Sequence, residues 1–99
     1  MIINISDRAK EKLDEVLSSK TDGKALRIHI AAYGWGGPSF GMALEEPQEN
    51  DLKISVDGFD FIMEEGFDQI YNHFDIGYSD SFLRKGFTIM PDRGGRSSC

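Results

Sequence analysis

Two stretches of alternating apolar residues, Leu26, Ile28 and Ile30 before and Phe40, Met42 and Leu44 after, flank the run Tyr33-Gly34-Trp35-Gly36-Gly37-Pro38. A period of two marks strands with one buried face. The two stretches therefore read as strands that can pair, and the run between them must reverse the chain. Glycines at 34, 36 and 37 permit positive φ or a close approach of backbone to another group, and Pro38 fixes one φ and removes one donor. Such a turn presents residue 35 outward. That residue is the only tryptophan of the chain, and an exposed indole gains little unless a partner chain or ligand covers it. Arg27, His29 and Ala31 take the second face of the first strand. Gly41 and Ala43 on the second strand are small, which leaves room there for the helix or another subunit to pack closely.

The rest of the chain supplies elements to cover this pair. Ile3 and Ile5 alternate in a short strand, and Ser6 offers a hydroxyl N-cap. In the helix that follows, Ala9, Leu13, Val16 and Leu17 form one apolar stripe and the opposite face is charged. Gly23 is placed to take the left-handed conformation that reverses the chain after it. Glu45-Glu46-Pro47-Gln48-Glu49-Asn50-Asp51 is acidic and carries a strand-breaking proline, so it reads as a solvated loop. Leu52, Ile54 and Val56 then alternate toward Asp57-Gly58, and Phe59, Phe61 and Met63 alternate away from it, the pattern of a tight hairpin with a type I′ turn. Glu64 and Glu65 suit the start of a second helix, with Phe67, Ile70, Tyr71 and Phe74 as its buried stripe. Ile76 and Tyr78 read as a brief strand, and Phe82, Leu83, Phe87 and Ile89 as the last apolar piece. From Pro91 to Cys99 there is no apolar period and two glycines stand together, which describes a flexible arm.

A chain of 99 residues with 39% hydrophobic content has material for one core. Residues 1–90 are accordingly expected as one domain and 91–99 as its arm. With 17 acidic against 11 basic residues the net charge is −6, which repels phosphate backbones and anionic lipid and argues against nucleic acid or membrane partners. The first residues lack a basic start before a long apolar run, and no apolar run is long enough to span a bilayer. A cytoplasmic protein is the expectation. The one cysteine, Cys99, cannot form an intrachain disulfide, which excludes a disulfide-stapled scaffold.

The spacings offer little to catalysis. Gly34-x-Gly36-Gly37 lacks a GKS or GKT ending and leads into a strand, so it is no phosphate cradle. His29 on a strand and His73 on the second helix have no ligand-like partner at i+2 or i+4, which suits surface or sheet-edge roles. No Ser-His-Asp or Cys-His arrangement follows from spacing, and an enzyme is not expected.

The order of elements resembles the HesB-like, A-type iron–sulfur carrier family. The resemblance rests on Ile5-Ser6-Asp7-x-Ala9, the strand running into Gly34-x-x-Gly37, the Val56-Asp57 hairpin with its acidic sequel, and Gly86-Phe87 ahead of a proline-containing tail. It implies an α+β fold, a compact, barrel-like set of mixed short strands with two helices and a flexible C-terminal arm. It also implies three thiolate positions, one in the glycine turn and two near the end, which together hold iron or an iron–sulfur cluster; soft thiolates are the ligands such clusters use. Trp35 stands at the turn position, Ser97 at the first tail position and Cys99 at the last. Some HesB-related proteins resembling this one carry selenocysteine at the turn, encoded by UGA, one base from the tryptophan codon, so Trp35 reads as a stand-in for selenocysteine or cysteine.

Two functions of different class follow. One is an accessory protein of iron–sulfur cluster biogenesis that binds iron or a cluster through residue 35 and Cys99, in a homodimer that shares the site, with assembly proteins or apo-client proteins as partners. The other is a metal-free interaction module of the same fold, with Trp35 as an apolar anchor for a second copy or another chain. A thiol or selenol exchange between residue 35 and Cys99 is a third reading.

Overall fold

The computed structural model describes residues 1–18, 23–82 and 85–91. Among them run seven strands, β1 (Ile2–Ile5), β2 (Ala25–Gly34), β3 (Gly37–Glu45), β4 (Leu52–Val56), β5 (Phe59–Met63), β6 (His73–Asp80) and β7 (Lys85–Pro91), and two helices, α1 (Asp7–Leu17) and α2 (Phe67–Ile70). The expected α+β class with two helices is what the chain adopts. Cys99 and Ser97, with the rest of the tail beyond Pro91, lie outside the described residues, as does Leu83.

The strands form two sheets, one in the order β1-β6-β7 and the other β3-β2-β5-β4. β1 and β6 run parallel, with Ile3 beside Phe74 and Ile5 beside Ile76, while β6 and β7 are antiparallel. β3 lies against β7 where the sheets meet, so the strands wrap a common core. That core is apolar: Leu13, Ile28, Phe61, Met63 and Phe74 are fully buried, and among the described residues no charged or polar residue is buried as a whole with them. Helix α1 lies on β6 and is capped by Ser6, whose Oγ accepts from the Ala9 N–H at 3.1 Å. Asp57 and Gly58 both have positive φ, 53° and 85°, as a type I′ turn requires.

Three expectations are corrected. The stripe Phe67, Ile70, Tyr71, Phe74 is not one helix: α2 ends at Ile70, Tyr71 is extended, and Phe74 is a buried residue of β6. Strand pairing on both flanks of β6 outweighs the coincidence of helical spacing, and Ile70 is exposed as a result. Phe82, expected in the core, is almost fully exposed, whereas Phe87 and Ile89 join the core as expected. Val16 sits at the rim of its helix and is exposed.

Candidate functional site: a projecting hairpin and the groove at its root

β2 and β3 pair antiparallel from Ala25 with Glu45 out to Gly34 with Gly37, leaving only Trp35 and Gly36 to turn the chain. Of the three glycines in the turn, Gly37 alone needs its freedom, at φ +103°. The pairing shifts between Ile30 and Ala32, so Ala31 has no opposite number, and a bulge of this kind increases local twist. The root of the hairpin is held by Phe40, whose ring meets those of Tyr71 and Phe74 edge-on at 5.1 Å each and that of Phe67 at 6.4 Å. Beyond Phe40 the ribbon leaves the core. Residues 31–36 are exposed, Tyr33 at 77% and Trp35 completely.

The small residues of β3 do not receive a helix. His29 crosses from β2 onto Gly41, its register partner, so closely that a Cβ there would lie 3.0 Å from the imidazole Cε1. Arg27, opposite Ala43, is largely buried and forms a fork on Asp51, with Nη1 to Oδ1 at 3.1 Å and Nη2 to Oδ2; its Nε donates to Glu45. The Gln48 N–H donates to the same carboxylate at 2.6 Å. These bonds, Arg27 foremost, hold the Asp51 carboxyl below the usual aspartate range, and Asp51 raises the Arg27 guanidinium in turn. The Glu45–Asp51 run reads as a solvated loop, yet the Asp51 side chain is only 7% exposed. A charged partner 24 residues away in the chain leaves no local signal.

β2 also borders β5, but that parallel ladder registers only Leu26 with Phe61 and Arg27 with Ile62. From Ile28 onward the edge of β2 that faces away from β3 has no strand partner among the described residues. A groove of about 450 Å³ opens along this edge, lined by Ile28, His29, Ile30, Tyr33, Glu64 and Phe67 and by the Arg27–Asp51 pair.

His73 lies in β6, not on a helix, and its Nε2 is 2.9 Å from both Asn4 Nδ2 and Asp75 Oδ1. It therefore does meet a carboxylate at i+2, because that spacing shares one face of a strand. Among the described residues no three His, Cys, Asp or Glu side chains gather as a metal site. At the turn, the Trp35 indole nitrogen is a donor without a lone pair for a metal. The described residues as they stand do not fit iron or a cluster.

The two-sheet α+β fold of this chain is that of solved A-type iron–sulfur carriers. No protein-family model and no curated relative matches the sequence, and the likeness is one of structure. It is similar to a crystal structure of IscA with a [2Fe–2S] cluster, with a TM-score of 0.72 at 16% identity over 91% of this chain and 85% of that one. Escherichia coli SufA, involved in the biosynthesis of iron–sulfur clusters, gives 0.69 at 15% identity over 89% and 78% of the two chains. A solution structure of an Aquifex aeolicus protein gives 0.63 at 25% identity over 90% of each. The HesB-like fold implied by the sequence is the fold of this chain. Among the described residues no helix is long and apolar enough to cross a membrane.

Proposed function

We propose that this chain is a non-catalytic, cytoplasmic accessory protein of iron–sulfur cluster biogenesis, handling iron or a cluster as cargo, with assembly proteins or apo-client proteins as partners. Residue 35, in the form of cysteine or selenocysteine, and Cys99 are the cargo-holding positions. The reading is carried by the location of residue 35: it is the fully exposed tip of a hairpin, in a fold shared with IscA and SufA. A thiolate there would be accessible to cargo and to a tail thiol, whereas the indole is not a ligand.

Anaerobic reconstitution with iron, sulfide and glutathione tests it, comparing Trp35→Cys with the unsubstituted chain by visible absorption and bound iron. Colour and iron only in Trp35→Cys are expected. Absence from both removes the cargo reading. The codon at position 35 in the source gene is a second check, since UGG ends the stand-in idea while leaving the fold untouched.

One observation favours the interaction reading for the chain as written. No residue between Arg27 and Glu45 carries a formal charge, although the chain is 28% charged overall, and the outer half of that segment is exposed with two aromatic rings on it. Exposed apolar surface of this kind marks a contact site.

A further inference from the structure

A groove runs along the free edge of β2, from Arg27 to Tyr33, and Trp35 stands just beyond its outer end. We propose that this edge is a self-complementary docking surface, through which two copies of this chain pair antiparallel and each Trp35 enters the groove of its partner. The inference deepens the interaction reading and rests on it.

Unpaired strand edges are templates for another strand, and proteins usually blunt them with charge, proline or a bulge. On this hairpin the proline, Pro38, lies in β3 and so guards the other edge. The β2 edge has no charged residue beyond Arg27 and is left open by the early end of the β5 ladder. Only the Ala31 irregularity interrupts it.

A strand that pairs antiparallel with its own copy makes a two-fold contact, in which one patch serves both subunits. Pairing the whole free edge, residues 28–34, sets residue 31 on the axis and residue 34 of one copy against residue 28 of the other. Ala31 is small where the two copies approach most closely. Trp35 then leaves the last pair beside Ile28 of the second copy, where the groove begins, with Ile30 and Phe67 as its apolar walls. The cavity of about 450 Å³ is larger than an indole.

Charge and area agree with a second copy as occupant. Two chains of net charge −6 repel, but the paired strand residues 28–34 carry no formal charge, and of the charged groups that line the groove Arg27 and Asp51 neutralise each other, leaving Glu64 as its one unbalanced charge. Two aromatic rings from each copy, at about 150–250 Å² apiece, bury roughly 600–1,000 Å². Stable interfaces bury about 1,200–2,000 Å² in total. The rings alone fall short of that range, and Ile28 is already buried within the chain, so the paired strand backbone supplies the remainder and the dimer is a weak one whose population rises with concentration.

The sole tryptophan reports directly on the contact. Sedimentation velocity and Trp35 emission are followed together over a concentration series of the full chain without metal, so the outcome is independent of cargo binding. Dimer formation accompanied by a blue shift of emission is expected. Added salt should increase the dimer fraction by screening repulsion between the acidic bodies. Ala32→Lys, an exposed substitution that places charge on the pairing edge, should lose both signals while circular dichroism stays unchanged. A chain that stays monomeric with red emission at every concentration overturns the proposal. So does a blue emission independent of concentration, which would mean that the chain's own tail fills the groove. A dimer that Ala32→Lys leaves intact, or one without a tryptophan shift, places the interface elsewhere and also overturns it.

Discussion

Asp51 accepts three hydrogen bonds, two from the Arg27 guanidinium and one from the Gln48 N–H, and all three favour its ionised form. Its folded pKa is therefore depressed below the ordinary value near 3.8. A depressed carboxylate contributes stability that is complete above the ordinary pKa and is lost as pH falls through the folded one. Asp51→Asn removes that contribution, so the variant should melt at a lower temperature than the parent at neutral pH. The gap should narrow as pH drops below the ordinary aspartate value, and melting curves at several pH values between neutral and strongly acidic conditions measure it. Asp80, also held low by Arg8, is half exposed with its partner, so its removal should move the melting temperature less. A gap at position 51 that stays constant down to strong acid would mean that the fork does not act through charge. Neither partner was legible as such. Arg27 could be assigned to the polar face of β2 from its alternation, but that an acidic loop folds back to bury a carboxylate on it depends on the tertiary path of β3 and β4.

Elements were legible where local chemistry and tertiary pairing agree. Ser6 before the charged stripe, Asp57-Gly58 between alternating runs, and the β2–β3 ribbon each follow from a few neighbouring residues. The second helix shows the limit, since Phe67, Ile70, Tyr71 and Phe74 satisfy a helical spacing and the strand pairing of β6 depends on β1, some seventy residues earlier. Gly66 gives α2 no side-chain cap, and a helix without a cap and only four residues long has little to oppose that pairing. The groove was illegible for a similar reason: it exists because the β5 ladder stops after two pairs. The capping inference can be measured. Ser6→Ala leaves the Ala9 N–H without its acceptor and should cost about 1 kcal/mol of unfolding free energy, read as a lower urea midpoint at unchanged slope. No change would mean that water or the Asp7 side chain replaces the hydroxyl fully.

At the scale of the whole molecule, the pairing geometry and the cargo reading constrain one another. A binuclear cluster takes about four thiolates, and the chain has one cysteine, so Trp35→Cys would offer two per chain. Four from a dimer would require both residues 35 to meet at one cluster. In the edge-paired dimer residue 31 lies on the axis, and at about 3.3 Å per residue the two positions 35 stand roughly 26 Å apart. That is too far to share a cluster only a few ångströms across, even with both tails present. Each cluster must then complete its ligands from outside the protein. Trp35→Cys should therefore keep its colour when reconstituted with glutathione and lose it on removal of the free thiol, and Ala32→Lys in the same background should not change uptake. Gel filtration with iron analysis checks both. A cluster retained without added thiol, at about one iron per chain and abolished by Cys99→Ser, would mean that two copies bring their hairpin tips together. Carrying cargo and pairing along β2 would then be alternative states of the same ribbon, with tryptophan at position 35 favouring the paired one.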